Sequence, residues 1–171
     1  MNTDLDFYTD VTNHCIRVSR LVEAVCSELK ETEMKNSLKE AALVHDIGKF
    51  YVKRSIMCAK RKLSPLEKSI VGMHTVYGYL ACKQLGYREE VCQLVLLHHG
   101  IGELFIPTEG LLPGVVRVYP VLRACDIWDA LQSERVYRPA LSREQSVEIL
   151  SSYTDIPEKV CKAIYDFSER C

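Results

Sequence analysis

Net charge is almost absent from this chain: 22 Lys and Arg stand against 23 Asp and Glu, a formal charge of −1 over 171 residues. A near-neutral chain offers no general electrostatic pull on polymeric nucleic acid or on a membrane surface. No apolar run reaches the roughly 18 residues of a spanning helix, so no membrane partner is expected. The N-terminal Met1-Asn2-Thr3-Asp4-Leu5-Asp6 is acidic and lacks a basic segment followed by an apolar one, unlike a secretory signal. The eight cysteines include no Cys-x-x-Cys pair, which argues against thiolate zinc sites. Most of the eight (Cys15, Cys26, Cys58, Cys82, Cys92, Cys125, Cys161 and Cys171) fall at apolar helical positions, where a free thiol acts as a small hydrophobe; Cys58 stands in the stretch Phe50 to Leu63, which reads as a loop. A disulfide framework is not expected, and Cys171 reads as an exposed free thiol. Alternating strand patterns, internal repeats and low-complexity segments are missing too. These absences leave a cytoplasmic globular protein, and its length suits one domain over residues 1–171 with a single core.

What is present is helical periodicity and histidine. A first helix is expected from Leu5 to Lys30, with Val11, Val18, Leu21, Val22, Val25 and Leu29 as its buried stripe. His14 lies on that stripe, and Asp10 sits one turn earlier, within reach of it. A second helix carries Leu38, Ala41 and Ala42 toward the pair His45-Asp46. Gly48 reads as its stop, and Lys49 follows beside the pair, where a cation meets a phosphate. Phe50 to Leu63 reads as a loop whose Lys53, Arg54, Lys60, Arg61 and Lys62 form either a basic lip or a solvated cationic surface.

Ser64-Pro65-Leu66-Glu67 is a capping box with proline at the first helical position. The helix it opens runs to Leu85, where Gly86 ends it. Ile70, Val71, His74, Tyr77, Gly78 and Ala81 share a face, and Gly78 permits close approach beside His74. The next helix, Glu89 to His98, leads into the pair His98-His99. An irregular stretch from Gly100 to Gly114 follows, a length often found in functional loops, and is a candidate pocket wall. A helix from Val115 to Ser133 carries Asp126 and Asp129 on its apolar face, where buried carboxylates need partners. A metal at Asp126 and a basic group at Asp129 would satisfy them. Arg135, Tyr137, Arg138 and Pro139 form a corner that either clamps phosphate bidentately or pairs an arginine with Asp129. Ser142-Arg143-Glu144-Gln145 caps a further helix, and Asp155-Ile156-Pro157 opens the last. The fold class is therefore all-α, a bundle of about six to eight helices.

All five histidines (His14, His45, His74, His98 and His99) lie on or at the end of an apolar helical face. Lone buried histidines are usually satisfied core residues, but five of five suggest one cluster. Imidazole suits Zn, Fe, Co and Ni, a carboxylate suits Mg and Mn, and the two oxygens of Asp46 allow it to bridge two ions.

The ordered set resembles the HD superfamily of metal-dependent phosphohydrolases, and within it the HD-GYP subgroup. It comprises His14, the His45-Asp46-Ile47-Gly48-Lys49 signature, His74 with Gly78, His98-His99, and Asp126-Ile127-Trp128-Asp129-Ala130-Leu131. Arg135-Val136-Tyr137-Arg138 adds to the similarity, which covers His14 to about Leu150. The resemblance implies a helical domain with two or three divalent ions, often Fe or Mn, and Zn fits the donor set as well. It assigns His14, His45, Asp46 and Asp126 to one ion and Asp46, His74, His98 and His99 to a second. Asp10 stands where some members place a glutamate for a third ion. Lys49, Arg135 and Arg138 would bind phosphoryl oxygens, and Asp129 would orient Lys49. The implied activity is phosphoester hydrolysis of a nucleotide, cyclic di-GMP in the subgroup. One departure is plain. The subgroup follows its histidine pair with Glu and an Asp-Gly-x-Gly-Tyr-Pro loop, whereas here Gly100 and Ile101-Gly102-Glu103-Leu104-Phe105-Ile106-Pro107 stand instead. Two alternatives remain at this level, a mononucleotide phosphohydrolase and a metal-containing signalling module without turnover. The oligomeric state is left open.

Overall fold

The computed structural model describes residues 3–101, 109–134 and 139–170. Its helices are α1 (Thr3–Glu28), α2 (Lys35–Val44), α3 (Arg54–Met57), α4 (Pro65–Gly72), α5 (His74–Gln84), α6 (Glu89–Leu97), α7 (Pro113–Gln132), α8 (Arg143–Ser151) and α9 (Glu158–Glu169), with a 3-10 turn over Ile47–Tyr51. The all-α expectation holds among the described residues. α3 is a single turn, and the other eight helices run from 8 to 26 residues.

The core explains the periodicities. Val18, Val22, Val25 and Cys26 of α1 meet Leu38, Ala41 and Ala42 of α2 and Leu122, Ala124 and Cys125 of α7. α6 is apolar on nearly every side and is packed among α2, α5 and α7, as a helix without a polar face must be. The seven described cysteines are free thiols, six of them buried, so they fill core space rather than staple it. Both capping boxes form. Ser64 Oγ accepts from Glu67 N at 3.3 Å while Glu67 Oε2 accepts from Ser64 N at 2.9 Å. Ser142 and Gln145 do the same at 3.2 and 3.1 Å. No helix among the described residues is long and apolar enough to cross a membrane.

Two local expectations change. The single helix over Ser64–Leu85 is two helices broken at Met73, whose N–H reaches back to Ser69 O and Ile70 O, both at 3.2 Å. The break puts His74 at the first position of α5 rather than mid-helix. Gly48 is not the stop of α2, which already ends at Val44. It lies in the 3-10 turn, where a Cβ would overlap the His74 carbonyl oxygen and sit 2.6 Å from Gly78 N. Gly78 is equally confined, with Val95 Cγ1 2.8 Å from where its own Cβ would be. The two glycines let the turn after His45-Asp46 lie directly on α5, and that contact sets His74 beside Asp46.

Candidate metal centre

Four helices deliver the histidines to one place. His14 comes from α1, His45 and Asp46 from the end of α2, His74 from the start of α5, and His98 and His99 from the end of α6. Asp126 and Asp129 face them from α7. The rings form a continuous edge-to-face chain: His14–His45, His45–His98, His74–His98 and His74–His99 centroids are 5.0–5.1 Å apart.

Three of the rings are held to backbone by the nitrogen pointing away from the cluster. His45 Nδ1 donates to Ala42 O at 2.9 Å, His74 Nδ1 to Val71 O at 2.7 Å, and His98 Nδ1 to Val95 O at 2.6 Å. A carbonyl only accepts, so the proton of each neutral ring is on Nδ1 and Nε2 presents a bare lone pair. Those lone pairs converge. His74 Nε2 is 3.1 Å from His98 Nε2 and 3.3 Å from His99 Nε2. Two acceptors at such a distance repel unless a cation lies between them. Metal–nitrogen bonds of about 2.1 Å place neighbouring ligands about 3 Å apart, so the spacing fits a divalent ion. The groups His74/His98/His99, His14/His45/Asp46 and His45/His98/Asp126 each have donor atoms within 4.8 Å of one another and could hold metal.

His14 is tethered differently. Its Nδ1 bonds Asp129 Oδ2 at 2.7 Å, and Arg17 grips the same carboxylate with Nε at 2.7 Å and Nη2 at 2.8 Å. This is the carboxylate–histidine arrangement that fixes a ligand's tautomer and raises its basicity. His14 Nε2 then faces Asp126 Oδ1 at 3.0 Å and His45 Nε2 at 3.2 Å. Asp46, almost fully buried, spans the site. Its Oδ2 is 3.6 Å from His14 Nε2 and 3.5 Å from His45 Nε2, while its Oδ1 is 3.4 Å from His74 Nε2 and 3.9 Å from His98 Nε2. Lys49 Nζ reaches Asp46 Oδ2 at 2.5 Å.

The electrostatics divide the centre. Burial works against charge on His14, yet its hydrogen bonds to Asp126 and Asp129 outweigh that and carry its pKa up to about 9. His45 also ends well above its ordinary value: burial opposes the rise, and Asp46 and Asp126 overcome it. Burial likewise opposes ionisation of Asp126, but His14 and His45 hold it well below the usual carboxylate range. On the other side burial dominates. It brings His74 down to about 4, and it combines with the neighbouring imidazoles to hold His98 well below its ordinary value.

The structure brings together His14, His45, Asp46, Lys49, His74, His98, His99, Asp126 and Asp129. Asp10 lines the same cleft but is exposed and stands outside the three clusters, and it is Asp129 that bonds His14 Nδ1. Asp129 does not orient Lys49: it holds His14, and Lys49 pairs with Asp46 three residues away. Among the described residues its cation is Arg17, because α1 packs along α7 and Arg17 follows His14 by three residues on the same face. That spacing was the available signal for Arg17. Arg135, Tyr137, Arg138, the 102–107 loop and Cys171 lie outside the described residues. A second residue not foreseen is Arg123 of α7, buried behind the centre, whose guanidinium donates to the His99 carbonyl. It fills the space a side chain at Gly100 would need, and Gly100 has φ +103, a conformation suited to glycine. The centre opens into a cleft of about 710 Å³ whose walls include Phe7, Arg17, Met57, Val71 and Tyr153.

Known proteins resemble this chain in sequence and in fold. The profile of the HD domain family matches residues 11–134. The 3'3'-cGAMP-specific phosphodiesterase 3 of Vibrio cholerae is 27% identical over 142 residues, 80% of this chain and 30% of that protein. A cyclic di-GMP phosphodiesterase of Thermotoga maritima is 28% identical over 174 residues, 91% of this chain and 45% of its own. The chain thus spans less than half the length of either relative. Among solved structures, the HD domain of the Listeria monocytogenes phosphodiesterase PgpH, in complex with cyclic-di-AMP, superposes with a TM-score of 0.62. It has 18% identity and covers 91% of this chain and 86% of that one.

Proposed function

The chain belongs to the HD domain family, and from that premise we propose that it is a metal-dependent phosphohydrolase cleaving a phosphodiester of a nucleotide, a cyclic dinucleotide foremost. The observation that carries this reading is Asp46, a buried carboxylate with one oxygen turned to His14 and His45 and the other to His74 and His98. That is the posture of a ligand shared by two ions. His14, His45, Asp46 and Asp126 would hold one divalent ion of the Fe, Mn or Zn type, and Asp46, His74, His98 and His99 the other. Such ions supply an activated water near neutral pH and draw charge from the phosphoryl oxygens. The chain's own groups do the rest. Asp129 and Arg17 fix the orientation of His14, and the backbone carbonyls of Ala42, Val71 and Val95 fix three further rings. Lys49, at the cleft wall, offers an ammonium to a non-bridging phosphoryl oxygen. Arg135 and Arg138 are assigned the same task on sequence grounds alone. The names of the relatives support a cyclic dinucleotide as substrate, and the proposed compartment is the cytoplasm, where such nucleotides are made.

The test begins with elemental analysis of protein purified without chelator, beside the Asp46→Ala variant. Two equivalents of metal in the wild type, lost in the variant, are expected. Turnover of bis(p-nitrophenyl) phosphate, then of cyclic di-GMP, 3'3'-cGAMP, cyclic di-AMP and mononucleotides, names the substrate class. Full turnover by Asp46→Ala would sink the assignment. The sequence Gly100–Pro107, which replaces the subgroup's loop, favours one other reading, a metal-containing signalling module. Retained metal with no turnover of any diester would select it.

A further inference from the structure

Next to the cleft lies a group of aromatic rings that phosphoester chemistry does not require, and one of them, Phe7, lines the cleft itself. Phe7 and Tyr8 of α1 and Phe50 of the 3-10 turn pack together. Centroid separations are 5.0 Å for Tyr8–Phe50, 5.8 Å for Phe7–Tyr8 and 6.1 Å for Phe7–Phe50. The Arg54 guanidinium lies 4.4 Å from the Phe7 centroid and 5.1 Å from that of Tyr8. Rings used only to close a core would be covered, but Tyr8 is 45% and Phe50 40% exposed.

Position ties this group to the metal centre. Phe7 lines the cleft together with Val11 and His14, and the three follow the helical spacing i, i+4, i+7 that puts them on one face. Seven residues of helix are about 10 Å, a span on the scale of one nucleotide. From the other side, Phe50 directly follows Lys49, the residue proposed to meet the phosphoryl oxygens. The imidazole–carboxylate centre, the Lys49 ammonium and this aromatic group therefore adjoin one another, with Phe7 as the ring that lines the cleft. Nucleobases stack on aromatic rings and on arginine planes, whereas an aliphatic or sugar phosphate gains little from such a surface.

We propose that Phe7, Tyr8 and Phe50, backed by the buried guanidinium of Arg54, form a nucleobase-stacking subsite that holds the base of a nucleotide whose phosphate lies at the metal centre. This deepens the function proposed above and rests on it for the position of the phosphate. It makes the substrate a base-bearing phosphoester, and it gives the N-terminal turns of α1 a task beyond carrying His14.

The test compares binding of guanosine 5'-monophosphate and ribose 5-phosphate to the metal-loaded protein by calorimetry, since the two differ only in the base. Wild-type protein is expected to bind the nucleotide about tenfold more tightly. Tyr8→Ala and Phe50→Ala, both at exposed positions, should shrink that ratio toward one. They should leave ribose 5-phosphate affinity and metal content as in the wild type. Tyr51→Ala, at a 62% exposed neighbour in the same turn, should leave the ratio intact. Equal affinity for the two ligands in the wild type overturns the subsite, as does a ratio that survives in both variants. Phosphodiester turnover is read in parallel. Turnover without base discrimination refutes the subsite alone, and base discrimination without turnover refutes the hydrolase alone.

Discussion

The two halves of the centre use the same side chain in opposite electrostatic settings. Around His14 and His45 stand Asp46, Asp126 and Asp129, and the result is imidazoles that attract positive charge, with His14 reaching a pKa of about 9. Around His74 and His98 the carboxylate is sparser: Asp46 Oδ1 faces both rings and Asp126 approaches His98 alone. Burial there outweighs the carboxylates and lowers both imidazoles, His74 to about 4. Identity as histidine therefore does not determine what a ligand prefers. The carboxylate-rich half suits harder ions and the imidazole-rich half softer ones. Asp46 turns one oxygen to each half, so the comparison breaks most completely there. Asp46→Ala is expected to empty both halves and take turnover to background, measured by elemental analysis and by bis(p-nitrophenyl) phosphate hydrolysis. Asp46→Asn, which keeps shape and loses charge, should behave the same way. Retention of two equivalents by either variant would refute the shared-ligand geometry.

Breaking one half at a time is the next largest effect. Asp126→Ala should cost one equivalent of metal and leave the imidazole half loaded. His98→Ala should cost the other and leave the carboxylate half loaded. Loaded with limiting Mn and Zn together, Asp126→Ala is expected to retain Zn preferentially over Mn relative to His98→Ala. The same retained metal in both variants would mean that the halves are chemically alike and the division is wrong.

The contact holding the halves together is steric. Gly48→Ala drives a methyl group into the His74 carbonyl and to 2.6 Å from Gly78 N. The turn after Asp46 must then lift away from α5, and both partners are backbone. Overpacking of this kind costs about 1–3 kcal/mol, which for a chain of this length lowers the Tm by a few degrees, roughly 2–4 °C per kcal/mol. The imidazole half should lose metal first, because it depends on where α5 begins. An unchanged Tm with full metal content would refute the close-packing role of Gly48.

These contacts also mark where the sequence stopped being legible. The stripes on α1 and α2, both capping boxes and the histidine set could be read because each depends on residues a few positions apart. Met73 could not be read as a break, since apolar spacing continues through it and the interruption is set by how α5 meets the turn at Gly48. Gly48 itself looked like a helix stop because glycine after a helix commonly is one. The constraint comes instead from backbone 26 residues further on. Asp129 was placed on the right face but given the wrong partner. Its bonds to His14 and Arg17 join residues 115 and 112 apart, and only the packing of α1 on α7 brings them together.

The smallest expected effects lie in that pairing. Asp129→Asn should weaken metal binding at the carboxylate half by about 10- to 100-fold, with the imidazole half unchanged. Arg17→Met should do less. The Arg17 side chain is 48% exposed, and solvent-exposed ion pairs are typically worth less than about 1 kcal/mol, which predicts a loss of less than about fivefold in affinity. If Arg17 acts only by steadying Asp129, the double variant will bind metal no more weakly than Asp129→Asn alone, the non-additivity that marks coupled neighbours. If the two losses add, Arg17 has a task apart from Asp129. Its place in the cleft wall makes the phosphoryl group the candidate, and the added loss should then appear in KM for the diester and not in metal affinity.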